Sequence, residues 1–216
     1  MSTVLFVTGT DTNVGKTVLS ALLCAALDGI YWKPIQTGAS DGTDREAVRE
    51  WAALPPERTI LESYCFEPPV SPHLAASLAG SVIDTAKIEV PRLGPGERLI
   101  IEGAGGVLVP LNQAEVMLDL MRKIGAPVVI ATRTTLGTIN HTLLTVNAIR
   151  GAGLEIKGVV MIGDKHVENE RAIEHYADVP VIGCIPFLEA IHRQVLLEVF
   201  NSQFSRNAFH ECPPRH

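Results

Sequence analysis

A glycine-bounded turn between an apolar run and a helical pattern is the feature that most constrains this chain. Residues 9–17 read Gly-Thr-Asp-Thr-Asn-Val-Gly-Lys-Thr, directly after the apolar run Val4–Val7. In such a turn the backbone N–H groups and the N-terminus of the following helix converge on one point and bind anionic phosphate. Lys16 can then contact the outer phosphates, and the Thr17 hydroxyl can ligate Mg²⁺. The sequence therefore predicts a strand, a phosphate-binding loop and a helix, in that order.

The loop departs from the common pattern G-x-x-x-x-G-K-[ST] in length and in charge. Thr10 stands where the first glycine belongs, and the glycine is Gly9, so the loop is one residue longer than usual. Asp11 adds an acid beside a predicted anion site. Its carboxylate would repel phosphate unless it points away or meets a cation, and the sequence leaves both arrangements open.

The composition is that of an ordinary globular protein with an acidic balance. Of the 216 residues 46% are hydrophobic and 19% charged, and the formal net charge is −6. An acidic chain lacks the basic face that nucleic acids require, so we expect no nucleic-acid partner. No apolar run reaches the roughly 18 residues of a membrane span, and the N-terminus lacks the pattern of a signal peptide. We therefore expect no membrane partner either.

The cysteines indicate the cellular location of the chain, and its length indicates the number of domains. The four cysteines are scattered and form no C-x-x-C pair, which favours a reducing, cytoplasmic location. A chain of this length suits one domain, which we place at residues 1–200. The tail at residues 201–216 has weak periodicity, and we expect it to be loosely ordered.

Strand and helix patterns alternate along the chain. Continuous apolar runs lie at Val4–Val7, Ile30–Ile35, Leu99–Ile101, Val128–Ala131, Val159–Ile162 and Val181–Ile185. Helical patterns lie near residues 17–27, 44–53, 71–79, 114–124, 138–150, 168–177 and 189–200. Because continuous apolar runs are typical of buried parallel strands, this alternation predicts an α/β fold with three layers, α/β/α, around a mostly parallel sheet. Ligands of such sheets bind beyond the carboxyl ends of the strands, where we expect the motifs to converge.

Two further strand ends carry charged residues. The second run ends in Lys33, a lysine whose desolvation in an apolar strand calls for anionic partners; the alternative is a lysine at the sheet edge that reaches water. The third run ends in Glu102, followed by Gly-Ala-Gly-Gly. An acid at a strand tip near a phosphate loop can hold Mg²⁺ directly or through water, whereas the plain alternative is a simple strand-to-loop transition.

Asp44 has two interpretations. It follows a loop and precedes a helical pattern, so local sequence favours a helix-capping role, since aspartate is a preferred N-cap. As a carboxylate near the predicted phosphate site, it could also ligate a metal.

In this order, the motifs resemble those of dethiobiotin synthetases of the biotin pathway, which are P-loop NTPases. The segments that carry the resemblance are residues 9–17, Lys-Pro-x-x-Thr-Gly at 33–38, Ser-Pro-His at 71–73, Glu-Gly-Ala-Gly-Gly at 102–106, Leu-Gly-Thr-Ile-Asn-His at 136–141 and Ile-Pro-Phe-Leu at 185–188. The resemblance runs from about residue 3 to residue 190. The long phosphate loop is itself a trait of the family.

The resemblance implies an ATP-dependent, Mg²⁺-dependent ring closure by a cyclo-ligase. The family's substrate is 7,8-diaminononanoate, a fatty acid with two neighbouring amines. One amine takes up carbon dioxide as a carbamate, and ATP phosphorylates the carbamate oxygen. The other amine then attacks, expels phosphate and closes the cyclic urea, with ADP as the second product.

The resemblance also implies roles for individual residues. Lys16 and Lys33 are the implied catalytic residues, acting on the triphosphate and on the carbamate with its transferred phosphoryl group. The implied Mg²⁺ ligands are Thr17, Asp44 and Glu102. The residues implied to contact the nucleotide are Asn13, Val14, Gly15, Lys16, Thr17, Val18, Asp44, Glu102, Gly103, Ala104, Gly105, Ile162, Gly163, Pro186, Phe187, Leu188 and Glu189. Those implied to contact the diamine substrate are Thr37, Gly105, Thr138 and Asn140.

The resemblance further implies a homodimer with the substrate site at its interface. The substrate ends in a carboxylate and needs an anion site remote from the phosphates. Residues 136–141 open a helix whose N-terminus offers free N–H groups, and in the family this helix belongs to the partner subunit. The alternative is an ordinary capped helix packed within its own chain.

One departure concerns the nucleobase. The family carries an Asn-Asp pair after the fifth parallel run, where this chain has Ile162-Gly163-Asp164. An amide can pair with an adenine edge by two hydrogen bonds, and isoleucine cannot. Other nucleoside triphosphates therefore remain candidate co-substrates beside ATP.

The main alternative is a regulatory or partitioning-type P-loop ATPase that acts through partner binding. Those proteins carry a lysine five residues before the main loop lysine, and that position is Asp11 here. A small-molecule kinase would require an arginine-rich lid, for which only Arg133 and Arg171 are candidates.

Overall fold

A computed structural model describes residues 3–209 of the chain. Its strands are β1 (Thr3–Gly9), β2 (Gly29–Trp32), β3 (Ile35–Thr37), β4 (Thr59–Ile60), β5 (Tyr64–Phe66), β6 (Arg98–Gly106), β7 (Val128–Arg133), β8 (Ile156–Ile162) and β9 (Val181–Ile185). Its α-helices are α1 (Lys16–Leu27), α2 (Asp44–Trp51), α3 (Pro72–Leu78), α4 (Met117–Ile124), α5 (Thr138–Gly151), α6 (Val167–Ala177) and α7 (Arg193–Gln203). No helix in this part of the chain is both long and apolar enough to cross a membrane.

Seven strands form a central sheet in the order β4-β2-β6-β1-β7-β8-β9, and their pairings are parallel. Helices cover both faces. Apolar side chains of α1 and α7 pack on one face, as Leu22 and Leu196 do, and those of α4, α5 and α6 pack on the other, as Leu120 and Ile149 do. The predicted three-layer α/β/α architecture with a parallel sheet is thus confirmed.

The sequence prediction of one continuous strand at Ile30–Ile35 is wrong. β2 ends at Trp32, and β3 leaves the central sheet to pair with β5 in a separate two-stranded sheet. The physical reason lies in Pro34, which has no backbone N–H to donate to a sheet ladder. The break places Lys33 at the end of β2.

Other boundaries also differ from the sequence patterns. The short strands β4 and β5 were not predicted, because two or three residues are too few to show a period. The helices expected at 114–124 and 189–200 begin later, at Met117 and Arg193.

Residues 201–209 pack against the domain, whereas we expected a loosely ordered tail from residue 201. Residues 201–203 complete α7, and Phe204 forms an isolated bridge with Gly183 of β9. The Phe204 ring stacks on Phe200 at a centroid distance of 5.3 Å, and Phe209 contacts both rings. Aromatic burial accounts for this order despite the weak periodicity. Residues 210–216 of the expected tail lie outside the described residues.

Candidate active site

The phosphate loop connects the end of β1 to the start of α1. Gly15, the residue before the helix, has φ +97°, a conformation that L side chains rarely adopt. A Cβ added there would come within 2.7 Å of the Ile162 side chain. The glycine is therefore required both by its backbone conformation and by the close approach of β8.

Lys16 is almost completely buried and lies folded back on its own loop. The residue is 6% exposed, and its Nζ donates to the backbone oxygen of Asp11 at 3.0 Å. Desolvation by burial, opposed in part by the charge of Glu102, lowers the pKa of Lys16 from 10.5 to about 8. Within residues 3–209, no carboxylate lies at ion-pair distance from this ammonium group.

The sequence left open whether Asp11 points away from the phosphates or meets a cation. In the structure it does both. It lines a different cavity, which the loop forms with residues 106–110 and α5. Its Oδ1 accepts from the Thr12 N–H at 2.7 Å. Its Oδ2 lies 3.9 Å from Arg133 Nη2, and Arg133 also donates to the Thr12 carbonyl at 3.0 Å.

Lys33 joins the two carboxylates that the sequence analysis singled out. It is 6% exposed, and its Nζ donates to Glu102 Oε1 at 3.2 Å and to Asp44 Oδ2 in a close ion pair. Burial would lower the pKa of Lys33, but the charges of Glu102 and Asp44 outweigh it and raise the pKa above its usual value. For Asp44, burial would raise the pKa of the carboxyl, but Lys33 lowers it. The interpretation of Lys33 as an edge lysine reaching water is therefore wrong.

Thr17 completes this cluster from the first turn of α1. Its hydroxyl lies 2.8 Å from Asp44 Oδ1 and 3.1 Å from Glu102 Oε1. The phosphate loop, the end of β2, the start of α2 and strand β6 thus bring four polar side chains to one point.

Asp44 is not the cap of α2, so that interpretation is wrong. The N-cap is Thr43, whose Oγ1 accepts from the Glu46 N–H at 3.2 Å. The Glu46 side chain accepts in return from the Thr43 N–H at 2.9 Å, which completes a capping box. Because Thr43 caps the helix, the Asp44 carboxylate is free to turn toward Lys33 and Thr17.

The donor set suits a hard cation. Thr17, Asp44 and Glu102 offer a hydroxyl and two carboxylates, the oxygen ligands that Mg²⁺ prefers, and the Lys33 ammonium already occupies a cation's place between the carboxylates. No group of three or more His, Cys, Asp or Glu that could hold a metal occurs within residues 3–209. A Mg²⁺ ion at this point would therefore need phosphate oxygens and waters to complete its coordination.

A cavity of about 670 Å³ opens over this cluster. The predicted residues that line it are Asn13, Gly15, Lys16, Thr17, Val18, Lys33, Thr37, Asp44, Glu102, Ala104 and Gly105. Lining residues that the sequence analysis did not assign to the site include Thr12, Gln36, Trp51, Val109 and residues 69–72. Two predicted residues support it from the core instead. Val14 is buried, and a Cβ on Gly103 would come within 2.9 Å of the Phe6 ring.

The predicted nucleobase segments lie outside this cavity. Ile162 and Gly163 end β8 beside the phosphate loop, and the Gly163 N–H donates to the Ile185 carbonyl at 2.9 Å. Of the segment that follows β9, Pro186, Phe187 and Glu189 are exposed and Leu188 is half-buried.

Thr138 and Asn140 line a third cavity, of about 520 Å³, at the N-terminus of α5. The helix is preceded by Gly137, which has no side chain to cap it. The Thr138 hydroxyl is committed internally, because it lies 2.8 Å from Thr132 Oγ1 and donates to the Arg133 carbonyl at 2.5 Å. Asn140 is exposed.

Two polar side chains that the sequence analysis missed hold the cluster in place. Gln36 is 4% exposed, and its Oε1 accepts from the Asp44 N–H at 3.2 Å. The fully buried Tyr31 donates its hydroxyl to Glu102 Oε2 at 3.0 Å. Burial and the charge of Glu102 hold the pKa of Tyr31 well above its usual value. A tyrosine in an apolar run was the available signal, because a buried phenol requires a hydrogen-bond partner.

Known proteins share this fold. The MinC:MinD cell division protein complex of Aquifex aeolicus superposes with a TM-score of 0.57 at 14% sequence identity, covering 99% of this chain and 98% of that chain. A family model described as an AAA domain matches residues 3–195. A parallel sheet whose first strand leads through a Gly-Lys-Thr loop into a helix defines a P-loop NTPase.

Two curated relatives identify the family within this class. An ATP-dependent dethiobiotin synthetase (BioD) of Rhodopseudomonas palustris strain HaA2 is 45% identical over 214 residues, which cover 99% of this chain and 99% of that protein. The protein of the same name from Nitrobacter hamburgensis is 46% identical over 213 residues, which cover 99% and 100%. The chain belongs to the dethiobiotin synthetase family, a family of ATP-dependent cyclo-ligases in biotin biosynthesis, as its motifs predicted.

Proposed function

We propose that this protein closes the cyclic urea of dethiobiotin from 7,8-diaminononanoate, carbon dioxide and ATP, with Mg²⁺, in the cytoplasm. The observation that carries the proposal is the convergence of Lys16, Lys33, Thr17, Asp44 and Glu102 over one cavity, in a chain of this family.

The reaction forms two carbon–nitrogen bonds. One amine of the substrate adds to carbon dioxide and loses a proton, which gives a carbamate. A carbamate oxygen attacks the γ-phosphorus of ATP and ADP leaves. The second amine attacks the carbonyl carbon of this mixed anhydride and loses a proton, while phosphate leaves and the ring closes.

The lysines act at different points of this reaction. Lys16 would exchange the Asp11 carbonyl for phosphate oxygens and bind the triphosphate together with the loop N–H groups. Lys33 directly follows β2 and donates to Asp44 and Glu102, and it would stabilise negative charge at the carbamate and the transferred phosphoryl. Such preorganised electrostatic stabilisation is usually the largest single catalytic effect.

Thr17, Asp44 and Glu102 would hold the Mg²⁺ ion. When bound, the ion would neutralise the negative charge of the phosphates. Gln36 keeps Asp44 in position through the Asp44 N–H. Thr37 and Gly105, which line the same cavity, would contact the diamine or its carbamate.

The carboxylate end of the substrate would bind at the N-terminus of α5 of a second copy, in a homodimer. Three large apolar side chains near α5 support such an interface, since Leu108, Leu136 and Leu144 are 64%, 104% and 61% exposed. The Thr138 hydroxyl donates to the Arg133 carbonyl and the Thr138 N–H donates to the Thr135 carbonyl. Thr138 would therefore shape this helix terminus, and Asn140 would offer its side chain to the carboxylate.

Mixed dimers test this arrangement. Subunits with Lys16→Ala and subunits with Asn140→Glu should each be inactive, and mixing them should restore activity, because one of the two shared sites then has both parts intact. Asn140→Gln is the matched control, which adds no charge. If heterodimers form and activity does not return, the carboxylate site lies within one chain.

The nucleobase pocket is expected to be permissive, because Ile162 packs against the loop glycine and offers no hydrogen bond. GTP or CTP should support turnover within about tenfold of ATP, a ratio that corresponds to about 1.4 kcal/mol. A much larger preference for ATP in competition calorimetry would mean that backbone groups near residues 162–164 read the adenine.

One assay tests the whole proposal. Purified protein is incubated with diaminononanoate, bicarbonate, Mg²⁺ and ATP, and the cyclic urea is sought by mass spectrometry. Product should appear only when all four are present and should be lost with Lys33→Ala. ATP hydrolysis that is independent of the diamine, without cyclic urea, would instead support the partner-binding ATPase alternative.

A further inference from the structure

Tyr31 contacts the candidate metal site from the core through Glu102. It lies outside the motifs at residues 33–38 and 102–106. The residue lies on β2, two positions before Lys33, and is 0% exposed. Its ring packs in the core layer between the sheet and α1. Its hydroxyl donates to Glu102 Oε2 at 3.0 Å.

The two oxygens of Glu102 therefore have separate partners. Oε2 is held by the phenol of Tyr31, on the core side. Oε1 receives both the Thr17 hydroxyl at 3.1 Å and the Lys33 ammonium at 3.2 Å. Only Oε1 is thus directed toward the point where a cation would bind.

Mg²⁺ and Ca²⁺ differ in how many carboxylate oxygens they accept at a site. Mg²⁺ demands near-octahedral geometry and takes few protein oxygens, whereas Ca²⁺ accepts six to eight oxygens and bidentate carboxylates. A glutamate that presents one oxygen suits Mg²⁺. One that can rotate to present both suits Ca²⁺ better.

We propose that Tyr31 is a positioning residue that holds Glu102 to one metal-facing oxygen and thereby makes the site select Mg²⁺ over Ca²⁺. This inference rests on the proposed Mg²⁺ site. The hydroxyl carries the effect, because a phenylalanine ring would fill the same space in the core.

The alternative is a purely structural role, in which Tyr31 only fills space in the core layer. It predicts that loss of the hydroxyl changes stability and leaves the relative affinity for the two cations unchanged. The positioning role predicts that the relative affinity itself changes.

The test is Tyr31→Phe in the full-length protein. The dissociation constants of Mg²⁺ and of Ca²⁺ are measured by calorimetry in the presence of a non-hydrolysable ATP analogue. Removal of a hydrogen bond to a metal-binding carboxylate typically weakens metal affinity 10- to 100-fold. We expect Mg²⁺ affinity to fall by about tenfold and Ca²⁺ affinity to stay or rise. The infrared carboxylate bands of the Ca²⁺ complex should shift toward a bidentate pattern in the variant only.

Tyr64→Phe is the matched control. The Tyr64 hydroxyl bonds to the backbone of Asp84, with its oxygen 3.1 Å from the Asp84 nitrogen and 3.3 Å from the carbonyl oxygen. Tyr64 lies on β5, in the separate two-stranded sheet. Its loss should alter stability and leave the cation preference unchanged.

The outcomes separate this inference from the function on which it rests. Equal weakening of both cations by Tyr31→Phe, or no change in either, overturns the positioning role while the metal site stands. If the unaltered protein with nucleotide binds no Mg²⁺, the proposed metal site itself is wrong, and the inference falls with it.

Discussion

Lys16 and Lys33 are equally buried, yet their surroundings have opposite effects on their charge. Each residue is 6% exposed. Lys16 donates to a backbone carbonyl of its own loop, and burial lowers its pKa to about 8. Lys33 lies between Asp44 and Glu102, which more than offset burial and raise its pKa. Burial alone therefore does not decide the charge of a buried lysine; the partners within hydrogen-bond distance do.

The difference has a functional meaning. The positive charge of Lys16 is only partly offset by nearby carboxylates in the free protein, which favours binding of an anionic ligand. Lys33 already donates to two carboxylates and contributes to the order of the site before any ligand arrives.

The largest expected effect is the loss of turnover when either lysine is replaced. Lys16→Ala and Lys33→Ala should each lower kcat by about 10²–10³-fold, the cost of removing one preorganised charge-stabilising group. Lys16→Ala should lower nucleotide affinity more than Lys33→Ala, because Lys16 belongs to the phosphate loop whereas Lys33 is held by Asp44 and Glu102. Steady-state kinetics with calorimetric titration of ATP measures both quantities. A near-normal kcat for Lys33→Ala would remove that residue from the mechanism.

Replacing each lysine singly by methionine should affect stability differently. Lys33→Met leaves the fully buried Glu102 carboxylate without its counter-charge and should destabilise the fold by about 3 kcal/mol. Lys16→Met removes a buried ammonium that has no carboxylate in contact, and stability should stay or rise. Urea unfolding at pH 7 without Mg²⁺ or nucleotide measures both. Similar losses at the two positions would contradict the comparison.

Asp44→Asn tests whether the Asp44 carboxylate serves Mg²⁺ binding or the stability of helix α2. The substitution should raise the Mg²⁺ requirement for turnover by roughly tenfold or more, as expected for disturbance of a metal site. Thr43→Ala is the matched control, since it removes the cap and should cost about 1 kcal/mol without changing the Mg²⁺ requirement. If Asp44→Asn instead lowers thermal stability and leaves the Mg²⁺ dependence unchanged, the carboxylate does not serve the metal.

The pH dependence of ATP affinity should report the lowered pKa of Lys16. In the free protein Lys16 loses its proton above about pH 8, whereas bound phosphates favour the charged form. Binding should therefore take up a proton above pH 8, and affinity should fall as the pH rises, by about tenfold between pH 7 and pH 9. Calorimetry in two buffers with different ionisation enthalpies measures the uptake. Lys33→Met removes a positive charge that helps to lower the pKa of Lys16, so it should move the fall in ATP affinity to higher pH. A flat profile in the unaltered protein would show that Lys16 stays charged.

The sequence alone determined the elements whose signals are local. The strand, the loop and the helix of residues 3–27 lie next to one another in the chain, and continuous apolar runs mark the strands of a parallel sheet. The motifs at residues 33–38 and 102–106 also predicted which charged residues to examine. These features depend on backbone geometry and on side-chain type within a few residues.

Only the tertiary structure decided how those side chains pair. The choice of Thr43 over Asp44 as helix cap freed a carboxylate for Lys33. The Thr-x-x-Glu spacing at residues 43–46 was a local signal for that cap, but no local signal showed that the Asp44 carboxylate would turn toward Lys33 and Thr17. The contact between Tyr31 and Glu102 joins residues 71 positions apart, and it exists because β2 and β6 pair in one parallel register. Register and side-chain direction across strands arise from packing of the whole sheet, so no local pattern in the chain could specify which oxygen of Glu102 faces the site.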